Sequence, residues 1–263
     1  MSNIEENPKN NGTWNGIKTF SWCGYDWIAR PLWGKHHPEH ELEWYDQEAY
    51  EILPDNTLLL KITYNPDTFV NKDGEYVTKP WGIGWVRTTK EFKYGTFEWD
   101  MRLPYGRYMW PALWLGSDST WPPEIDCMEG WSDDKPDYIK RLLWVNIKPT
   151  MHWGTKRDVK HETKNNNLRC IIKGGDKFDH YKAIWTPEYV EIWYNNTKIK
   201  RFTDKDMLAQ MNTVSMHAIM SAGVYGKFDN DMYNEYASKG IDMAVRNFKY
   251  TPASIVNQGK NPR

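Results

Sequence analysis

Three carboxylates stand within six residues in the stretch WPPEIDCMEGW, Trp121 to Trp131: Glu124, Asp126 and Glu129. Their neighbours Ile125, Cys127 and Met128 are apolar, as in a half-buried strand, where an uncompensated charge is costly. In a regular strand Glu124 and Asp126 share one face, while Glu129, at an odd offset from Glu124, falls on the other. One extra residue, a β-bulge placed at Cys127-Met128, returns Glu129 to the acidic face, and bulges re-aim side chains in this way beside active sites. Acids crowded on one sheet face perturb each other's pKa values, which serves stability poorly and proton transfer well. Breaking a glycosidic bond needs one ionised and one protonated carboxyl, and a third acid between them can hold a proton and push the two titrations apart. The competing reading is a solvated acidic strand face, which the aromatic flanks of this stretch fit poorly.

Strands must present such a row, and the sequence is rich in them. TLLLKITY (57 to 64) precedes an expected turn at Asn65-Pro66, and FVNKDGEYVT (69 to 78) carries the Asp73-Gly74 signal of a hairpin. KEFKYGTFEWDMRL (90 to 103) alternates, with Phe92, Tyr94, Thr96, Glu98, Asp100 and Arg102 expected on one side and Lys93, Gly95, Phe97, Trp99, Met101 and Leu103 on the other. LLWVNIK (142 to 148), LRCIIK (168 to 173), HYKAIWTP (180 to 187), YVEIWYNNTKIKRF (189 to 202, turning at Asn195-Asn196), TVSMHAIMSAG (213 to 223) and IDMAVRNFKY (241 to 250) complete the set. Only DKDMLAQM (204 to 211) reads as a helix, opened by Asp204 as N-cap. No repeat of fixed period is present. Many short strands with Gly, Pro and Asn turns predict an all-β sandwich, one domain over residues 13–263 behind a disordered lead-in at residues 1–12.

Composition narrows the partners. Over 263 residues, 34 Lys and Arg meet 35 Asp and Glu for a formal charge of -1, so charge alone draws the chain to neither nucleic acid nor an anionic membrane. Sixteen Trp and 16 Tyr against 8 Phe favour rings with a polar handle, suited to hydroxylated, flat-faced ligands such as sugars, although core packing accounts for most single Trp positions. Three cysteines, Cys23, Cys127 and Cys170, with no CxxC indicate neither a disulfide framework nor a zinc knuckle. The N-terminal residues MSNIEENPKNNG have no basic n-region or apolar h-region, and no run long enough to span a bilayer occurs.

WPALWLG (110 to 116) followed after a short loop by EIDCME (124 to 129) resembles the bulged Glu-x-Asp-x-x-Glu signature of glycoside hydrolase family 16. FKYGTFEWDMRLP (92 to 104), MHWGT (151 to 155) and YKAIWTPEYVEIWYNN (181 to 196) resemble that family's other strands in order and spacing. The resemblance implies a β-jelly-roll of two curved antiparallel sheets with an open substrate cleft on the concave face. It further implies retaining, endo-acting hydrolysis of internal β-linkages in a polysaccharide, by a secreted or cell-surface monomer. By position Glu124 resembles the nucleophile, Asp126 the assisting acid and Glu129 the general acid/base; retention needs the outer two carboxyls roughly 5–5.5 Å apart. Trp110 resembles the Trp beside the reacting sugar, Trp121 and Trp131 are candidates to wall the same site, and Arg87, Tyr105 and Tyr225 are further cleft candidates. His152 matches a position where members often carry a histidine, either contacting substrate or satisfied by a neighbour. No cofactor or metal is required. Members often hold a structural calcium through the Asp of a terminal Asp-Tyr-Val-Arg-Val-Tyr strand, but in IDMAVRNFKY Asp242 stands one residue out of register.

Other readings remain open. HHPEH (36 to 40) could offer His37 and His40 to a metal, but it lacks an HExxH frame, and HETKN (161 to 165) lacks a second histidine. A non-catalytic carbohydrate-binding protein on the same scaffold need not keep all three acids, and a transglycosylase shares the covalent intermediate. For substrate, neutral β-1,3- or mixed-linkage β-1,3-1,4-glucan leads. Agarose, porphyran, carrageenan or a mucin-type glycan follow, since a sulfated galactan calls for clustered cations, and KRDVKHETK (156 to 164) and KIKR (198 to 201) read equally as solvated edges.

Overall fold

The computed structural model describes residues 16–31, 33–37, 39–132, 142–163, 168–173, 177–238 and 241–253, with backbone alone for 142–146 and 168–173. The lead-in expected at residues 1–12 and the side chain of Cys170 lie outside the described part. In chain order the strands of the first half are β1 (Thr19–Trp22), β2 (Tyr25–Ile28), β3 (Glu43–Tyr45), β4 (Tyr50–Ile52), β5 (Leu58–Leu60), β6 (Ile62–Val70), β7 (Tyr76–Ile83), β8 (Trp85–Thr88), β9 (Gly95–Arg102), β10 (Met109–Gly116) and β11 (Glu124–Ser132). They continue as β12 (Leu142–Thr155), β13 (Asp158–Thr163), β14 (Leu168–Lys173), β15 (Asp179–Trp185), β16 (Val190–Tyr194) and β17 (Thr197–Phe202). Helix α1 (Lys205–Met211), β18 (His217–Val224), helix α2 (Asn230–Ala237) and β19 (Met243–Thr251) close the chain.

Two antiparallel sheets carry the fold. One has nine strands in the order β1-β2-β8-β18-β10-β11-β12-β13, with β14 also paired to β12; the other has seven, β17-β16-β15-β9-β19-β5-β4. A small third sheet, β3-β7-β6, adds the long hairpin β6–β7 and a parallel pair, β3 with β7. Alternation decides what is buried: Phe97, Trp99 and Met101 of β9 enter the core, while Thr96, Glu98, Asp100 and Arg102 between them are half buried. Leu113, Leu115, Ile125, Cys127, Met151, Ala218 and Met220 of the nine-stranded sheet meet Phe97, Trp99, Tyr181, Trp185, Ile192 and Val245 of the other in one contiguous core. The opposite face of the nine-stranded sheet is left to carry polar and aromatic side chains.

Several expectations are corrected. Asn65-Pro66 is not a turn: β6 runs through it, with a register shift between Tyr64 and Asp67. Proline is tolerated there because β6 is an edge strand and the shift releases its missing donor from the ladder. Alternation over 90 to 103 breaks at Tyr94 and Gly95, whose φ values are 59° and 119°, so Phe92 is buried, in an isolated bridge to Met216, rather than grouped with Thr96 and Glu98. LLWVNIK and MHWGT are parts of one strand, β12. A second helix, α2, exists beside the expected α1; its N-cap Asp229 accepts from the Met232 amide, as Asp204 accepts from Met207 in α1. The Asn195-Asn196 turn stands as read, both residues having positive φ, 44° and 63°.

Candidate active site

The bulge is found at Cys127-Met128. Along β11, Asp126 pairs with Thr150 and Glu129 with Lys148 of β12, so two residues of β11 oppose the single Pro149; against β10, Cys127 alone is extra, between Asp126–Trp114 and Met128–Leu113. Pro149 fits because a bulge asks no ladder hydrogen bond of it. Cys127 and Met128 are both buried, while Glu124 and Glu129 emerge half-buried beside Asp126 on the open face.

Residues directly opposite on antiparallel strands share a face, so the site reads as parallel rows crossing the sheet. One row runs His152, Glu124, Gly116, His217; the next Thr150, Asp126, Trp114, Ile219, Arg87; the third Lys148, Glu129, Ala112, Ser221, Trp85. Two tryptophans clamp the outer acids. Trp121 Nε1 donates to Glu124 Oε2 at 3.2 Å and Trp110 Nε1 to Glu129 Oε1 at 3.2 Å. Trp131 stacks on Trp110, centroids 6.1 Å apart, and the Lys148 ammonium lies over the Trp131 ring. His152 is brought fully into the site, Nε2 lying 3.0 Å from Asp126 Oδ2 and 3.8 Å from Glu124 Oε1. That contact is short but off the hydrogen-bond line, so Asp126 Oδ2, deeply buried, has no aligned donor among the described residues.

The electrostatics follow from burial. All three carboxyls are held above the usual carboxylate range: Glu124 by burial and then by the charge of Asp126, Asp126 by burial and then by Glu129, Glu129 by burial. Opposing this at Glu129 are His152, the Trp110 hydrogen bond and Lys148. Three such groups, buried side by side, do not ionise together. A hydrogen bond with Glu124 acts against the elevation of Asp126, and Glu124 in turn receives the Trp121 indole.

Three other candidates are engaged by neighbours. Tyr105 is buried with its ring against Tyr236 of α2. Tyr225 spends its hydroxyl on the Ser132 carbonyl and its ring on Tyr108, tying strand ends together. Arg87 lies in the Asp126 row, but its guanidinium is buried; Nη1 is 2.8 Å from Asp118 Oδ2 and 2.8 Å from His217 Nε2, and Asp118 also lies 2.9 Å from that nitrogen. This group anchors the 117–123 loop that delivers Trp121 and Glu124.

Metal ligation finds limited support. Glu124, Asp126 and His152 bring donor atoms within 4.8 Å of one another, two of them carboxylates of the acidic face. His37 and His40 stack at 4.2 Å, yet His40 is 3.0 Å from Glu43, and burial, His40 and the Lys79 ammonium hold His37 down to about 4. Asp242 Oδ2 pairs with Arg102 at 3.0 Å.

Sequence reading passed over the aromatic group on the β8 side. Trp114, half-buried beside Asp126, contacts Trp85 and Trp33, and the HHPEH loop reaches the site through His40, whose ring meets Trp110 at 5.1 Å. Trp114 was legible from its even offset to Trp110; Trp33, in a loop without alternation, gave no signal.

The model for Glycosyl hydrolases family 16 matches residues 42–244, well over half of the chain. An endo-1,3-1,4-beta-glycanase of Rhizobium meliloti (strain 1021) is 27% identical over 196 residues, 71% of this chain and 39% of its own length. The chain spans less than half the length of the curated relatives it matches. Among solved structures, one reported for endo-acting O-glycanases that members of the human gut microbiota express to initiate mucin breakdown aligns with TM-score 0.62 at 16% identity, covering 93% of this chain and 91% of that one. LamA from Zobellia galactanivorans, solved with laminaritriose and laminaritetraose, aligns with TM-score 0.57 at 17% identity, over 89% and 96%. At such identities these two show a shared fold.

Proposed function

The chain belongs to glycosyl hydrolases family 16, and on that premise we propose that it is a retaining endo-glycanase cleaving internal β-linkages of a neutral β-1,3- or mixed-linkage β-1,3-1,4-glucan. The observation that carries this is the bulged strand that sets Glu124, Asp126 and Glu129 on one open face, each outer acid clamped by an indole N–H. In the first step ionised Glu124 attacks the anomeric carbon while Glu129 gives its proton to the departing glycosidic oxygen, forming a glycosyl-enzyme ester. In the second, Glu129, now ionised, takes a proton from water, which displaces Glu124 and releases the sugar with retained configuration. Asp126 keeps its proton and holds Glu124 in line. Trp110 and Trp131 offer ring faces to the pyranose next to Glu129.

Two features support a neutral glucan. The open face is rich in acids, and two cations on it are engaged, Arg87 with Asp118 and Lys148 over Trp131 beside Glu129. A sulfate would meet carboxylates there. The names of the bacterial endo-1,3-1,4-glycanase and of the laminari-oligosaccharide complex point the same way. A polymeric substrate suits a secreted or cell-surface monomer, and among the described residues no helix is long and apolar enough to cross a membrane.

The test is release of oligosaccharides from laminarin, barley β-glucan, agarose, porphyran, carrageenan and mucin O-glycans by the unsubstituted chain and by Glu124→Ser. Short products from the first two polymers, absent with Glu124→Ser, are expected. Retained turnover in Glu124→Ser refutes the nucleophile assignment; cleavage confined to another polymer refutes the glucan.

A further inference from the structure

We propose that Trp33 is a sugar-stacking subsite of the cleft, about two strand spacings from the carboxylate strand on its β8 side, built by the His-rich loop and braced by the β6–β7 hairpin. The inference rests on the glycanase reading and extends it to a specific side chain. Among the described residues two tryptophans are exposed, Trp121 at 44% and Trp33 at 41%. Trp121 sits beside Glu124, across β11 from β10, with its ring 6.5 Å from His152 of β12. Trp33 lies on the other flank: its ring meets Trp114 of β10 at 6.2 Å and Trp85 of β8 at 5.4 Å. Trp114 belongs to the Asp126 row and Trp85 to the Glu129 row, on the same open face as the acids. Bridging β10 and β8, Trp33 is centred over β18, which at about 4.8 Å per strand puts it about 10 Å from β11. A β-linked pyranose is roughly one strand spacing long, so a chain crossing the strands through the acids brings its second ring to Trp33. An indole half open to water and held edge-to-face by Trp85 and Tyr45 offers a surface for a pyranose to pack on.

The platform is held rather than loose. Lys35 pairs with Asp67 at 2.7 Å, His36 pairs with the same carboxylate and stacks on Phe69 at 3.8 Å, and the Lys79 ammonium donates to the carbonyls of both His37 and His40. Asp67, Phe69 and Lys79 all belong to the hairpin. From the other side His40 meets Glu43, whose second oxygen accepts from the Val224 amide at the end of β18. HHPEH is thereby explained as a wall of the cleft. A wall fixed before the sugar arrives saves ordering entropy on binding.

The experiment is a subsite map: kcat/KM and bond-cleavage frequencies on end-labelled β-1,3- and mixed-linkage gluco-oligosaccharides of increasing length, for the unsubstituted chain, Trp33→Ala and Trp33→Phe. With Trp33→Ala, kcat/KM on the longest chains is expected to fall about tenfold, while the shortest cleaved oligosaccharide changes little and the preferred cleavage bond moves; Trp33→Phe restores most of both. Equal losses at every length with an unchanged cleavage pattern, or no loss at any length, overturn the proposal. If the unsubstituted chain cleaves none of the series, the glucan reading falls first and the subsite with it.

Discussion

Replacing Trp110 by Phe removes one hydrogen bond from Glu129 and keeps an aromatic ring against Trp131. The bond, Trp110 Nε1 to Glu129 Oε1 at 3.2 Å, is strongest when Glu129 is ionised. A hydrogen bond to a charged partner contributes about 1.5–3 kcal/mol net. At the long end of the N–H···O range the lower figure applies, about 1.5 kcal/mol. Because one pKa unit corresponds to about 1.4 kcal/mol, losing it raises the Glu129 pKa by about one unit beyond the elevation that burial already causes. Glu129 must be protonated to act as acid, so the alkaline limb of the kcat/KM profile should move up by about one pH unit while the acidic limb, set by Glu124, stays in place. Initial rates of reducing-end release from a soluble β-glucan, well below KM and across the pH range the fold survives, read this directly. An alkaline limb that stays put or moves down, or two limbs that move together, would refute the assignment of Glu129 as the group this indole tunes.

Trp121→Phe should shift the acidic limb instead, also upward, because ionised Glu124 loses its indole donor; the shift should be under a unit since Trp121 is 44% exposed, and a moved alkaline limb would contradict it. Asp126→Asn should cut turnover yet raise Tm. With its folded pKa raised, Asp126 contributes fully below its unfolded pKa of about 3.9 and loses that contribution as pH rises through the folded value, so the neutral Asn gains about 1 kcal/mol, about 2–4 °C, at pH above both pKa values and nothing in acid. Calorimetry at the two ends of that window decides it, and an equal gain in acid would sink the argument. Asp118→Ala strips the partner from buried Arg87 and should cost about 3 kcal/mol by denaturant unfolding, the low end for breaking a buried pair because Asp118 keeps some solvent exposure. A loss within error of zero would show that His217 alone satisfies the guanidinium.

Where local pattern and tertiary need agreed, the sequence was legible. The acids, the bulge at Cys127-Met128 and the Asn195-Asn196 turn follow from face parity and turn chemistry within a few residues, and the structure places them as read. Asn65-Pro66 misled because a turn dipeptide at a sheet edge can be absorbed as a register shift. Helix α2 was missed because NDMYNEYA is mostly polar, and only Met232 and Tyr236 are buried to anchor it. Arg87 and Tyr105 are polar enough to suggest a cleft, but one finds its partner in a loop 31 residues away along the chain, and the other lies against a helix near the C-terminus. No local period encodes such meetings. Trp33 escaped for the same reason, since loop residues carry no alternation to say which way they face.

The order of strands has a consequence for how the molecule comes together. The last two strands of the sequence, β18 and β19, stand inside their sheets rather than at an edge: β18 between β8 and β10, β19 between β9 and β5. Arg87 and His217, which meet across the first of these insertions, are 130 residues apart, and Arg102 and Asp242 beside the second are 140 apart. During synthesis both sheets therefore stay split, each with two raw edges, until residues 217–251 arrive. The carboxylate strand and its β10 partner can form earlier, but the wall bearing Trp33 and Trp85 joins them only when β18 slides in. Such distant closures are slow, and the unfilled slots invite pairing with other chains meanwhile. Loss of the final strands would leave an intact Glu-x-Asp-x-x-Glu signature on a molecule with no cleft.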